Sequence, residues 1–265
     1  GKNNMSQKIY HYTGVDGLIG LLSGTLWCTH INFLNDKNEY TIINRMRTEF
    51  KESAIRDRRI AKKILFNDIK NFVETTIDLS GTVINNINAF ISSFTTDFDS
   101  TKHWLSYGNG ENRYSLGFNL DKLKKSLLTL NPDVLDIASN IDLQIKDVRY
   151  SDVCKVPNVF DLDKETVIDI ASQKTTDWNH ENEYRIILVE RNSVFKQKFA
   201  ENIKWRSSKG IAIPYIPLKF DPNVIENVIY LSQNSSERIE DSLNMMKQYY
   251  ALKFNVYRSQ CGVVL

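Results

Sequence analysis

Cysteine is scarce in this chain: three in 265 residues, at Cys28, Cys154 and Cys261, odd in number and far apart. None belongs to a CxxC pair and no histidine stands at zinc-finger spacing from them. That argues against a disulfide framework or a structural zinc and fits a reducing compartment. Five prolines and eleven glycines are too few and too scattered to mark an interdomain linker. No apolar run is long enough to cross a bilayer, and the polar opening Gly1-Lys2-Asn3-Asn4-Met5 lacks the apolar centre of a signal peptide. Neither sign of charge dominates: 34 Lys and Arg against 32 Asp and Glu leave a formal +2, so nothing announces a polyanion binder. The Walker A, GxGxxG, HExxH and G-x-S-x-G patterns are missing too. The expectation is a soluble, cytoplasmic globular chain whose 42% apolar residues suffice to bury a core without staples.

What is present is a mixture of strand and helix signals. Alternating aromatic and β-branched residues over Lys8–Thr13 predict a strand. Thr13-Gly14-Val15-Asp16 reads as a capping box for a short helix through Leu18, Ile19, Leu21 and Leu22 that stops at Gly24. A strand at Leu26–Thr29 comes next. Asn35 or Asp36, with Glu39 in the first turn, reads as the cap of a long helical region. Strands return at Ala89–Phe94 and Tyr114–Phe118, on either side of a helical turn capped by Ser100. A helix from Asp121 to Leu130 ends at Asn131-Pro132. Further strands are expected at 145–150, 184–189, 211–216, 227–231 and 254–257, and helices at 164–174 and 236–250. Lys122, Lys124 and Lys125, like Arg56-Asp57-Arg58-Arg59, read as solvated helix faces. This order lacks a strict βαβ rhythm. It predicts one α+β domain over 1–265, with a mixed, mainly antiparallel sheet and a helical insertion at about 36–80.

Two polar motifs stand against this apolar background. In Tyr10-His11-Tyr12-Thr13, the histidine faces away from its two tyrosine neighbours and a helix N-terminus, which favours anionic groups, comes at once. An imidazole both donates and accepts, as ribose hydroxyls require. In Glu181-Asn182-Glu183-Tyr184-Arg185, an extended backbone puts Glu181, Glu183 and Arg185 in one row, at the mouth of the apolar run Ile186-Ile187-Leu188-Val189. The plain alternative is the polar face of an edge strand. Trp104 and Tyr107, with His103 beside them, read most simply as core packing.

With Phe33-Leu34-Asn35-Asp36, Glu39, Ser93-Phe94, Trp104 to Tyr107 and Trp178, these motifs resemble a widespread bacterial family of unknown-function domains over residues 8–232. The opening is also similar to ADP-ribosyltransferases, including the DNA-modifying DarT toxins. That resemblance implies a split-sheet fold and NAD as substrate, with no metal. It implies that His11, with Tyr12 and Thr13, contacts NAD on its ribose side and that one of Phe94, Trp104 or Tyr107 stacks on nicotinamide. Arg185 would join the binding site. Glu183 would hold the ribose 2′-hydroxyl, and Glu181 would orient the acceptor. The implied activity is ADP-ribosyl transfer or NAD hydrolysis by a toxin or phage-defence effector. Its acceptor would be nucleic acid or protein, without a membrane partner, and an antitoxin or defence-system protein would be its companion. Two further readings stay open: a metal-dependent nuclease or phosphoesterase built on Asp36, Glu39, Glu181 and Glu183, and a non-catalytic nucleotide-sensing module.

Overall fold

The computed structural model describes residues 7–34, 89–107, 112–135, 141–152, 164–190, 201–208, 210–232 and 237–261. The long helical region expected at 36–80, with Asp36 and Glu39, lies outside them. The strands are β1 (Lys8–Thr13), β2 (Thr25–His30), β3 (Ala89–Thr95), β4 (Asn112–Asn119), β5 (Ile141–Asp147), β6 (Arg149–Tyr150), β7 (Gln173–Lys174), β8 (Glu183–Glu190), β9 (Lys204–Ser208), β10 (Ile211–Lys219), β11 (Ile225–Ser232) and β12 (Asn255–Arg258). The helices are α1 (Val15–Leu22), α2 (Thr101–Ser106), α3 (Leu120–Leu130), α4 (Pro132–Leu135), α5 (Lys164–Ala171) and α6 (Glu237–Tyr249). The chain is α+β, a single domain around one mixed, mainly antiparallel sheet.

Ten of these strands join in that sheet, in the order β12-β11-β4-β1-β3-β2-β10-β9, with β8 on β3 and β5 on β8. β3 is the hub. One of its edges is covered along its whole length by β8, from Ala89 opposite Val189 to Thr95 opposite Glu183. The other edge is shared by two strands. β1 meets β3 at its far end, Tyr10 opposite Thr95, and β2 meets it at the near end, with Thr29 opposite Ile91 and His30 opposite Phe90. Both are antiparallel to β3, so they leave it side by side and the sheet opens between them at Ser92 and Ser93. Helix α1 connects the two departing strands.

Both faces of the sheet are covered, which explains why the strands carry apolar residues at odd and even positions alike. On one face Ile9, Phe94, Phe118, Ile186, Leu188, Val228 and Tyr230 pack against Leu18, Leu21 and Leu22 of α1, Leu123 and Leu127 of α3 and Leu243 of α6. The four-residue spacing of Leu123 and Leu127 puts both on one stripe of α3, and each contributes about 1.5–3 kcal/mol by leaving water. On the opposite face Ile91, Ile187 and Val189 meet Val167, Ile168 and Ile170 of α5, while Tyr10 and Tyr12 meet Trp104 of α2.

Some local expectations change. Gly14, not Thr13, is the N-cap of α1, and no side chain caps the helix. Thr13 instead lies over Gly17, where a Cβ would fall 1.9 Å from its Oγ1. The expected helix at 164–174 ends at Ala171, and Gln173-Lys174 pair in parallel with Arg149-Tyr150. Strand β9 has no counterpart among the sequence expectations. Glu181 closes a 3-10 segment, Thr176–Glu181, so the extended strand starts only at Glu183, after a left-handed Asn182 (φ 43°).

Candidate functional site

The expected row of Glu181, Glu183 and Arg185 is a buried network and not a solvated edge, because β8 runs between β3 and β5. Arg185 grips Glu183 through Nε at 2.7 Å and a second guanidinium nitrogen at 3.2 Å. Its remaining arm donates to the Ala171 carbonyl at 2.8 Å. Lys174 then bridges the carboxylates, with Nζ 2.6 Å from Glu181 and 2.9 Å from Glu183. The Tyr107 hydroxyl donates to the other Glu181 oxygen. Side chains of Lys174, Arg185, Glu181 and Glu183 are all only 3–4% exposed. Two cations answer two carboxylates, the condition under which charges survive burial. Burial alone would raise the Glu183 carboxyl, but Arg185 and Lys174 outweigh it and hold it down at about 2. The Tyr150 hydroxyl accepts the Glu183 backbone N–H at 3.0 Å, and burial pushes that phenol up to about 12.

The backbone around this network is pinned by short polar contacts. Thr95 Oγ1 donates to the Glu181 carbonyl at 2.7 Å, and His103 Nε2 lies 3.2 Å from the same oxygen. The His103 ring stacks between Tyr12 and Tyr107, 5.0 and 5.8 Å between centroids, which carries the core out to the half-buried Tyr107.

His11 occupies the opening between β1 and β2. Its Nδ1 lies 2.7 Å from the Ser93 carbonyl, at a point of β3 in register with neither β1 nor β2, and its ring tilts against Phe94 at 5.2 Å. A ring that donates from Nδ1 presents the lone pair of Nε2 as an acceptor. Burial lowers the imidazole's affinity for a proton below its ordinary value. The hydrogen bond to Ser93 opposes this, and the charge of Arg206 reinforces it. His11 is therefore neutral near pH 7.

The structure sorts the expected site residues. His11 and Glu183 do not face each other across a cleft: they stand on strands at opposite edges of β3. By register His11 belongs to the face of Phe94 and Glu183 to the face of Thr95. What they share is Ser93, whose carbonyl takes His11 and whose hydroxyl helps hold the Glu183 carboxyl down. Trp104 is fully buried, edge-on to Tyr12 at 4.7 Å, with Nε1 donating to Asp99 at 2.6 Å. Phe94 is 3% exposed and packs on Phe118. Tyr12 is buried, its hydroxyl tied to Asp97, Phe98 and Ser100 backbone. These three are core residues, leaving the half-buried Tyr107 as the expected aromatic nearest the surface. Thr13 is half-buried at the start of α1, and Arg185 is locked behind Glu183. Sequence reasoning missed Lys174 and Tyr150. A lone lysine after an apolar helix carries no signal of a buried bridge; only the short β6–β7 pair brings it there.

Among the described residues no helix is long and apolar enough to cross a membrane. No family model, curated protein or solved structure matches this chain.

Proposed function

We propose that the protein cleaves the nicotinamide–ribose bond of NAD, as an ADP-ribosyltransferase or an NAD glycohydrolase. The observation that carries this reading is the opening between β1 and β2, where a neutral His11 with a fixed tautomer lies one residue, Ser93, from a buried pair of carboxylates. His11 Nε2 accepts a ribose hydroxyl. Tyr107 supplies the ring for nicotinamide, and its movement onto the ligand uncovers Glu181. The glycosidic C–N bond breaks with its electron pair going to nicotinamide, which leaves neutral, and positive charge develops on the ribose. A preorganised carboxylate stabilises that charge without reorganisation of solvent. Water or a nucleophile of nucleic acid or protein then attacks the ribose carbon and gives up a proton.

Glu181 is the better placed of the two carboxylates for this task. Its partners are a hydroxyl and an ammonium, and it lies directly under Tyr107. Both Glu183 oxygens already receive Arg185 and one also receives Lys174, so Glu183 anchors the cations. The resemblance had implied the reverse assignment. A nuclease reading would ask Glu181 and Glu183 to hold a divalent ion where the Lys174 ammonium sits 2.6–2.9 Å from each, so that ion would have to displace Lys174.

The test is incubation of the purified protein with NAD labelled in the adenosine moiety, with cell extract and with EDTA. Release of nicotinamide that survives the chelator is the expected result, and the fraction that carries label identifies the acceptor. Binding of NAD without release would favour a sensing module. Cleavage of nucleic acid that needs Mg²⁺ would favour the nuclease.

A further inference from the structure

We propose that Arg206 of β9, laid across the sheet toward the opening at His11, is the binding residue for the diphosphate of a dinucleotide or nucleoside diphosphate. The inference rests on the NAD reading for its ligand and extends it to a residue outside both polar motifs. Register places Arg206 opposite Ile213 on β10, and Tyr215 of β10 opposite Thr29 of β2. The four residues therefore share one sheet face, the face of Glu183. From its edge strand the arginine reaches over β10 and donates to Thr29 Oγ1 at 3.1 Å. Its guanidinium carbon stands 5.3 Å from the Trp27 ring centre, and that ring lies 5.4 Å from Tyr215. Thr29 is itself opposite Ile91 on β3, so the guanidinium ends about one strand spacing, roughly 5 Å, from the row that contains Ser93.

Three features point to an anion here. Buried arginines are normally answered by carboxylates or carbonyls. Arg206 Nε is shielded from solvent and has no hydrogen-bond partner, and no carboxylate among the described residues pairs with this guanidinium. The head is held beside Trp27 and by its bond to Thr29 Oγ1, and a planar fork suits two oxygens of one phosphate better than a point charge does. Its charge already reaches His11 across the opening, since it disfavours the imidazolium there. His11 belongs to the other face by register, so a ligand whose ribose meets it would pass through the opening between β1 and β2 to carry its adjacent diphosphate to Arg206 and the Thr29 hydroxyl. Trp27 has room to lie there because Gly20 of α1 backs it: a Cβ on Gly20 would sit 3.3 Å from the indole.

The experiment is calorimetric titration of the full chain and of Arg206→Gln and Arg206→Lys with ADP-ribose, ADP, inorganic pyrophosphate, adenosine and a short single-stranded oligonucleotide. Thermal melts of each protein accompany the titrations. Loss of one charge-assisted fork should weaken ADP-ribose and pyrophosphate roughly ten- to a hundredfold in Arg206→Gln and leave adenosine unchanged. Arg206→Lys should recover part of the loss, because it restores charge without the fork. Should Arg206→Gln fail to fold, Arg206→Lys and the salt dependence of pyrophosphate binding to the native chain carry the test. Unchanged ADP-ribose affinity in the variants, no binding of any diphosphate, or Arg206-dependent binding of the oligonucleotide alone would overturn the proposal. Arg206-dependent binding of ADP and pyrophosphate by a chain that never cleaves NAD would uphold it and remove the NAD reading. Cleavage of NAD with the same KM in Arg206→Gln would do the opposite.

Discussion

Without Lys174 and Arg185, two carboxylates at 3–4% exposure could not both stay charged, and one would take up a proton. The acidic motif is therefore not the polar face of an edge strand, and Gln is no neutral replacement for Glu183. Glu183→Gln leaves Arg185 and Lys174 short of one compensating charge inside the protein, a loss of about 3–5 kcal/mol by analogy with broken buried pairs. Glu181→Gln also takes a charge from Lys174, but it keeps the Tyr107 contact and leaves Glu183 between both cations, so it should cost less stability than Glu183→Gln and lose about a hundred- to a thousandfold in NAD cleavage, the usual cost of removing one preorganised stabilising group. Denaturant titration and nicotinamide release measured on both variants separate these outcomes. Small, equal effects on both would leave the motif as packing alone. The same network sets an acid limit. The Glu183 pKa is lowered on folding, so its stabilisation is complete above the ordinary carboxyl value of 4.5 and is lost as pH falls toward about 2. His11 and His103 are also lowered, so the unfolded chain takes up their protons first and stability begins to fall as pH drops below 6.5. Urea midpoints should therefore decline in two stages on acidification. Activity that needs neutral His11 should hold through pH 6.5 and fail only below it. A midpoint at or above 6.5 would mean that another histidine governs the profile.

At the scale of elements, the opening in the sheet exists because β1 and β2 share one edge of β3, and that depends on the turn after α1. Gly24 has φ +80°, a left-handed conformation that costs an L side chain, and its missing Cβ would lie 2.7 Å from the Phe220 carbonyl. Gly24→Ala should cost about 1–3 kcal/mol from strain alone and shift the melting temperature down. An unchanged melt would show that the turn relaxes freely. This glycine was legible in the sequence, as were nearly all strands with β-branched and aromatic runs, because local alternation and turn residues carry those signals. β9 was not legible: Lys-Trp-Arg-Ser-Ser lacks an apolar alternation, and its strand state comes from pairing with β10. For the same reason Arg206 escaped notice. The site was half legible. His11 and the two glutamates could be named from their motifs, but which face each occupies depends on the register with β3, a long-range fact that no local pattern contains. Phe94 and Trp104 were candidates for stacking on nicotinamide through the resemblance alone, and their neighbours put both in the core, as the plain reading of Trp104 had it.

Across the whole molecule, the last described segment is tied to the site through one carboxylate. β12 is an edge strand paired only with β11 among the described residues, and its four residues are mostly exposed. Beyond β12 the chain folds back onto Asp99, which accepts Ser259 Oγ at 2.7 Å and the Gln260 N–H at 2.8 Å while it also accepts Trp104 Nε1 at 2.6 Å. Burial would raise the Asp99 carboxyl, but these donors outweigh it and hold the group below its ordinary value. Trp104 in turn fixes α2, the helix that leads to Tyr107. Asp99→Ala should therefore act at both ends at once. It strands a fully buried indole N–H, which costs about 1–3 kcal/mol, and it releases the chain after β12. Hydrogen exchange should quicken at Val256 and Tyr257, while the amides of β3 and β8, at the centre of the sheet, stay protected until global unfolding. NAD cleavage should fall as well, through loss of Tyr107 positioning, with KM affected more than the chemical step. If exchange in β12 rises but cleavage is untouched, α2 holds its place without Asp99, and the tie between this segment and the site is one of proximity only.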